Sequence, residues 1–316
     1  MSVRRTYLAF LAAAVLPFVA ACRNDKQPVT TTIRGSSSSH TLTVSTDSGT
    51  STGTVTETTA ATVPVSYVDA EAAYTARNYA DAAALFGSYT RANPENPWGH
   101  YMHGLSSWKA GDAEQALISF DEALRIDPQH RKSLLNSGRV LLDTGRPREA
   151  IERVERALSL EPLSPEGLRL LGRARYELKQ IPEAIEAYQR AIALDERDVW
   201  AMNNLGLIYI QQDRSESALP VLARAAELRS DSPVFQNNLG TALERTGSYA
   251  AAKKAYEAAL AADSTYGKAS ASLARVTPLA SSDTTSVDLS AFVAEFHSEV
   301  ERWRDATAVD TAQAVE

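Results

Sequence analysis

The chain of 316 residues has a single cysteine, Cys22, so it can form no internal disulfide and no multi-cysteine metal cluster. Histidine is scarce as well. Only five are present, and the one pair at helical spacing, His100 and His103, has no third ligand near it in sequence, so no metal site is expected. Positive charge is not in surplus: 32 Lys and Arg stand against 39 Asp and Glu, for a net charge of −7. That balance argues against a nucleic-acid binder. The chain also lacks a G-x-S-x-G nucleophile turn, a phosphate-cradling glycine loop and a kinase-like motif set. No catalytic residue and no cofactor is expected, and an enzyme is not the reading the sequence supports. Against these absences, 44% hydrophobic and 22% charged residues are enough for an extensive packed core.

The first 22 residues form a separate segment. Arg4 and Arg5 precede an apolar run from Tyr7 to Phe18, which closes on Val19-Ala20-Ala21-Cys22. The run is too short to span a bilayer comfortably and reads as an export signal. Its V-A-A-C ending resembles the bacterial lipoprotein signal, which implies removal of residues 1–21 and lipid attachment at Cys22. An ordinary signal with a chance cysteine is the plainer alternative. Arg23, standing where an aspartate would imply inner-membrane retention, favours an outer membrane facing the periplasm. Arg4-Arg5-Thr6-Tyr7-Leu8 also looks loosely like a twin-arginine signal, with an ordinary basic start preferred.

Residues 22–62 are expected to form a solvated tether. Between Thr30 and Thr62, 20 of 33 residues are Ser or Thr. Such a stretch buries too little apolar surface to offset the entropy of ordering it.

From residue 63 to about 276 the chain repeats itself every 34 residues. Gly104, Gly138, Gly172, Gly206 and Gly240 form one column, preceded by Ala70. A second runs Ala82, Ala116, Ala150, Ala184, Ala218, Ala252, and a third Phe86, Phe120, Val154, Tyr188, Leu222, Tyr256. Ala123, Ala157, Ala191, Ala225 and Ala259 make a fourth, and Pro94, Pro128 and Pro162 a fifth that continues as Glu196, Ser230 and Ser264. Within one unit, Ala116, Leu117, Phe120, Ala123 and Leu124 line one face of a helix of period 3.6. Each unit therefore reads as two helices, with small residues where they cross and a large one in the adjoining gap.

Leu171-Gly172, Leu205-Gly206 and Leu239-Gly240, followed by Ala184-x₃-Tyr188 and Ala252-x₃-Tyr256, resemble the tetratricopeptide repeat. The resemblance implies an all-α, right-handed superhelical solenoid of about six units, with residues 267–276 beginning a seventh that caps it. It further implies a concave groove, lined by the first helix of each pair, that binds peptides or partner proteins. In such grooves an asparagine two residues before the glycine often bonds a peptide backbone. Here that place holds Asn136, Asn204 and Asn238, with Asn203 and Asn237 beside two of them. The alternative is that these side chains support neighbouring helices or face water.

Lys132, Arg139, Arg169 and Arg173 fall on first helices and could receive an acidic segment, unless Glu166, Asp143 and Glu177 neutralise them. Trp98, Tyr101 and Trp200, with Trp108 and Tyr176, are candidate aromatic anchors, some of which will instead pack between units. The same aromatics carry a second functional reading, a glycan-binding module. The leading one is a membrane-anchored scaffold for protein partners in the bacterial cell envelope.

After a linker at 277–286, residues 287–304 should form an amphipathic helix. Leu289, Phe292, Val293, Phe296, Val300 and Trp303 share one face. That stripe must be buried on the last repeat, the groove, a second copy or a partner, the last repeat being the simplest choice. Residues 305–316 read as a disordered tail.

Overall fold

A computed structural model describes residues 65–284 and 286–313, with side chains as far as residue 306. The export signal, Cys22 and the Ser/Thr tract lie outside the described residues. Those that are described form fourteen helices and no strand. The helices pair as α1 (Tyr67–Thr75) with α2 (Tyr79–Ala92), α3 (Pro97–Lys109) with α4 (Ala113–Ile126), and α5 (Arg131–Asp143) with α6 (Pro147–Leu160). Then follow α7 (Pro165–Glu177) with α8 (Ile181–Leu194), α9 (Val199–Gln211) with α10 (Ser215–Leu228), and α11 (Pro233–Arg245) with α12 (Tyr249–Ala262). These six pairs are units 1 to 6. A capping helix α13 (Gly267–Ala280) and the long α14 (Leu289–Gln313) complete the chain.

Local chemistry sets the helix ends. Asn96, Asp112, Ser164 and Asp198 each accept the backbone N–H three residues on, and Pro97, Pro147, Pro165 and Pro233 open helices where no N–H is needed. The turn between paired helices passes through a left-handed residue every 34 positions. Gly111, Gly145 and Gly247 fill it freely, but Arg77, Lys179 and Asp213 hold the same conformation, at φ of 63°, 64° and 57°.

The glycine column is small for a sharper reason than helix crossing alone. A Cβ on Gly206 would stand 2.5 Å from Leu222 Cγ, and one on Gly104 would stand 2.8 Å from the Phe120 ring. In units 2 to 6 the large residue rests directly on that unit's glycine.

Successive odd-numbered helices from α3 onward also touch one another, whereas successive even-numbered helices do not pack comparably. The odd helices therefore line the inner, tighter side of the curve, and the even helices splay apart on the outer side.

The C-terminal helix corrects an expectation. α14 does not bury its stripe on the last repeat; it turns back and packs on α8 and α10 across the outer side. Phe296 and Val300 are wholly buried there, with Phe292, Val293 and Trp303 packed around them. The reason lies in what α8 and α10 present. Ala187 and Val221 stand where α6 carries Arg153, and Ala193 stands where it carries Ser159; all three small residues are buried. Arg304 then donates from Nε to the Ala193 carbonyl at 3.0 Å and forms an ion pair with Glu196. Glu196 takes the place that proline holds in units 1 to 3.

Candidate functional site

The inner side carries two clusters that together contain every sequence-derived candidate within the described residues. The first lies across units 2 and 3. Trp98 is 47% exposed, but its ring is already engaged: Lys132 Nζ is 5.1 Å from its centroid, and His130 and Tyr101 lie edge-on at 4.7 and 5.8 Å. Tyr101 is buried, which pushes its hydroxyl up to about 12. Asn136 donates to the Lys132 carbonyl at 2.9 Å and to the Tyr101 hydroxyl at 3.5 Å, and accepts from Arg139 at 2.9 Å. Arg139 also pairs with Glu166 and lies 5.7 Å from the Trp108 ring.

His130 was not singled out from the sequence. Its Nδ1 accepts the Ser133 backbone N–H at 3.3 Å, so the imidazole is the N-terminal cap of α5, and burial holds its pKa below the ordinary value.

The second cluster lies in units 4 and 5 and forms a pocket of about 370 Å³. Its walls include Arg169, Arg173, Tyr176, Trp200 and Asn204, all raised as candidates from the sequence, together with Tyr188. Trp200 is 52% exposed and leans edge-on against Phe235 at 5.2 Å, so its outer face is open. Behind it the asparagines form a continuous run. Asn237 donates to Asn238 at 3.3 Å, Asn238 to Asn203 at 2.7 Å, Asn203 to Asn204 at 3.5 Å, and Asn204 to the Tyr188 hydroxyl at 3.2 Å. Asn203, Asn237 and Asn238 are buried, while Asn204 is the half-buried end that opens on the pocket.

The cations are neutralised in place. Arg169 Nε donates to Asp198 at 2.8 Å, and Arg173 donates to Asp143 at 2.8 Å and to Glu177 at 2.9 Å. Burial opposes the charge of Arg173, but its two carboxylates outweigh that and hold its pKa above the ordinary value. The pocket therefore offers an open indole face, oriented amide and guanidinium donors, and a local balance of charge. This suits an extended polar chain with an apolar side group better than a strongly charged ligand.

Tyr188 is a less obvious pocket residue because its ring belongs to the large structural column, while its hydroxyl accepts from Asn204. Asp198 was missed because its side chain serves two purposes, capping α9 and holding Arg169. His100 and His103 bond separately, to the Pro94 carbonyl at 2.8 Å and to Ser119 at 3.0 Å.

The tetratricopeptide repeat family model matches residues 67–131 and, in overlapping stretches, 135–276. PilW, a widely conserved type IV pilus biogenesis factor, has a crystal structure similar to 66% of this chain and 96% of its own, at 19% identity and a TM-score of 0.58. A chain of the APC/C hetero-tetramer Cut9–Hcn1 is similar over 66% of this chain and 41% of its own, at 18% identity and a TM-score of 0.58. MamA from Desulfovibrio magneticus RS-1 is similar over 51% of this chain and 92% of its own, at 23% identity and a TM-score of 0.48. At these identities the likeness is one of fold. No curated protein matches the chain.

Proposed function

The chain belongs to the tetratricopeptide repeat family, a scaffold class that binds proteins or peptides, and we propose that its inner pocket in units 4 and 5 grips an extended segment of a partner protein. The observation that carries this reading is the convergence of Trp200, Asn204, Arg169 and Arg173 on one cavity. Trp200 supplies the apolar anchor, and the half-buried Asn204 amide, pre-oriented by the run behind it, faces a peptide backbone. The sequence order of residues 1–22 supports lipid attachment at Cys22, which would hold the array at a bacterial membrane, outer and periplasm-facing. Among the described residues no helix is long and apolar enough to cross a membrane.

Two experiments test this. Affinity capture on the intact, membrane-anchored protein should lose its partners with Trp200→Ala or Asn204→Ala, a hot-spot loss of about 2 kcal/mol for the indole. Partners retained by both variants would refute the peptide-groove reading, and recovery of cell-wall glycan in their place would turn it toward carbohydrate. Metabolic labelling with a clickable fatty acid should mark the wild type and not Cys22→Ala; equal labelling of both would remove the anchor.

A further inference from the structure

The four residues 195–198 that join α8 to α9 are held from both sides of the array. On the outer side Glu196 pairs with Arg304 of α14 and lies 3.2 Å from His297 Nδ1. On the inner side Asp198 accepts Arg169 Nε at 2.8 Å through one oxygen and caps α9 at the Ala201 N–H at 3.0 Å through the other. Trp200 is the second residue of α9. The loop between these two grips has no slack. The Arg197 N–H donates to Asp195 Oδ1 at 2.9 Å, the Asp198 N–H to the Asp195 carbonyl at 3.0 Å, and the Val199 N–H to the Arg197 carbonyl at 2.8 Å.

We propose that Glu196 and Arg304 are positioning residues for the inner pocket: by pinning this loop from outside, the docked C-terminal helix sets where Asp198, Arg169 and Trp200 stand. The inference rests on the reading of the pocket as a binding site for its purpose, but the mechanical link needs no ligand. The contrast among units supports it. At the same corner, units 1 to 3 carry Pro94, Pro128 and Pro162, whose rings themselves restrict the backbone. Unit 4 gives up that stiffness for a carboxylate tied to a helix that begins more than ninety residues later. A corner stiffened from outside can be loosened when α14 is displaced; one stiffened by proline cannot.

The test uses the full chain labelled with fluorotryptophan, whose four resonances are assigned by single Trp→Phe changes. Arg304→Ala should shift or broaden the Trp200 resonance, leave Trp98 unmoved, and raise amide exchange in residues 199–203 about tenfold over the rest of units 4 to 6. Arg304→Lys should restore part of this, and the exchanged pair Glu196→Arg with Arg304→Glu most of it. A change at Trp303 alone, or a uniform rise in exchange across units 4 to 6, would overturn the proposal. The pocket's binding role would stand or fall separately, by the capture experiment.

Discussion

Units 2 and 3 meet solvent on their outer side with charge. Arg153 of α6 pairs with Asp121 of α4 at 2.7 Å, and Arg125 reaches Glu122 and Glu95 at 2.8 and 3.2 Å. Units 4 and 5 instead present small apolar residues there and cover them with α14. Exposed ion pairs contribute about 0–1 kcal/mol each, whereas an apolar cover contributes about 25 cal/mol for every Å² it removes from water. The difference matters because stability in a repeat array passes from neighbour to neighbour. A helix lying across units 4 and 5 ties them together beyond that rule, and unit 6 shares their buried core through Leu239, Leu243 and Tyr256. Units 4 to 6 should therefore unfold as one block, and units 1 to 3 should fray unit by unit.

The largest test of this contrast is Phe296→Ala. Its wholly buried ring should cost about 3–5 kcal/mol. Urea unfolding followed by hydrogen exchange should place that loss in units 4 to 6; an equal loss in units 1 to 3 would break the division. Gly206→Ala should cost about 1–3 kcal/mol, because its Cβ would meet Leu222 inside the braced block. Gly138→Ala, whose Cβ would meet the smaller Val154 at 2.8 Å in a block that can yield, should cost less in the same assay. Arg153→Ala should change the melting temperature by no more than about 1 kcal/mol would.

The subtlest test is pH, and its sign differs between the halves. His130 is held below its ordinary pKa by burial, so its cap stabilises unit 3 above pH 6.5 and that stability is lost as the pH falls below it. Glu299 on α14 is pushed above its ordinary pKa by burial, so docking of α14 strengthens as the pH falls toward 4.5. From pH 7 to 5, protection from exchange, taken relative to the intrinsic rate at each pH, should fall in α5 and rise in α14. His130→Asn, which keeps a capping side chain, should abolish the first change, and Glu299→Gln the second.

The repeating architecture was legible because each column satisfies one local demand: a glycine under a larger side chain, an alanine at a crossing, a proline at a corner. The turn column was less so. Its left-handed positions are visible at Gly111, Gly145 and Gly247 but disguised at Arg77, Lys179 and Asp213. The α14 stripe could be read from its spacing, but not its destination. The clue was spread thinly over Ala187, Ala193, Val221 and the loss of proline at Glu196, each unremarkable alone. Most of the asparagines raised as groove residues are buried in an amide run, because neighbouring units set them within reach of each other rather than of solvent. Sequence spacing within a unit does not display that distance.

The turned-back helix also has a consequence in time. Arg304 meets the carbonyl of Ala193 across 111 residues of chain. At about 5–20 residues per second, a ribosome takes roughly 5–20 s to make that interval. In the part of that interval that follows Leu228, the end of α10, units 4 and 5 can already have paired their helices while their outer side stays bare. Until α14 arrives this side is open to a chaperone, and it is sealed only when the last helix has docked.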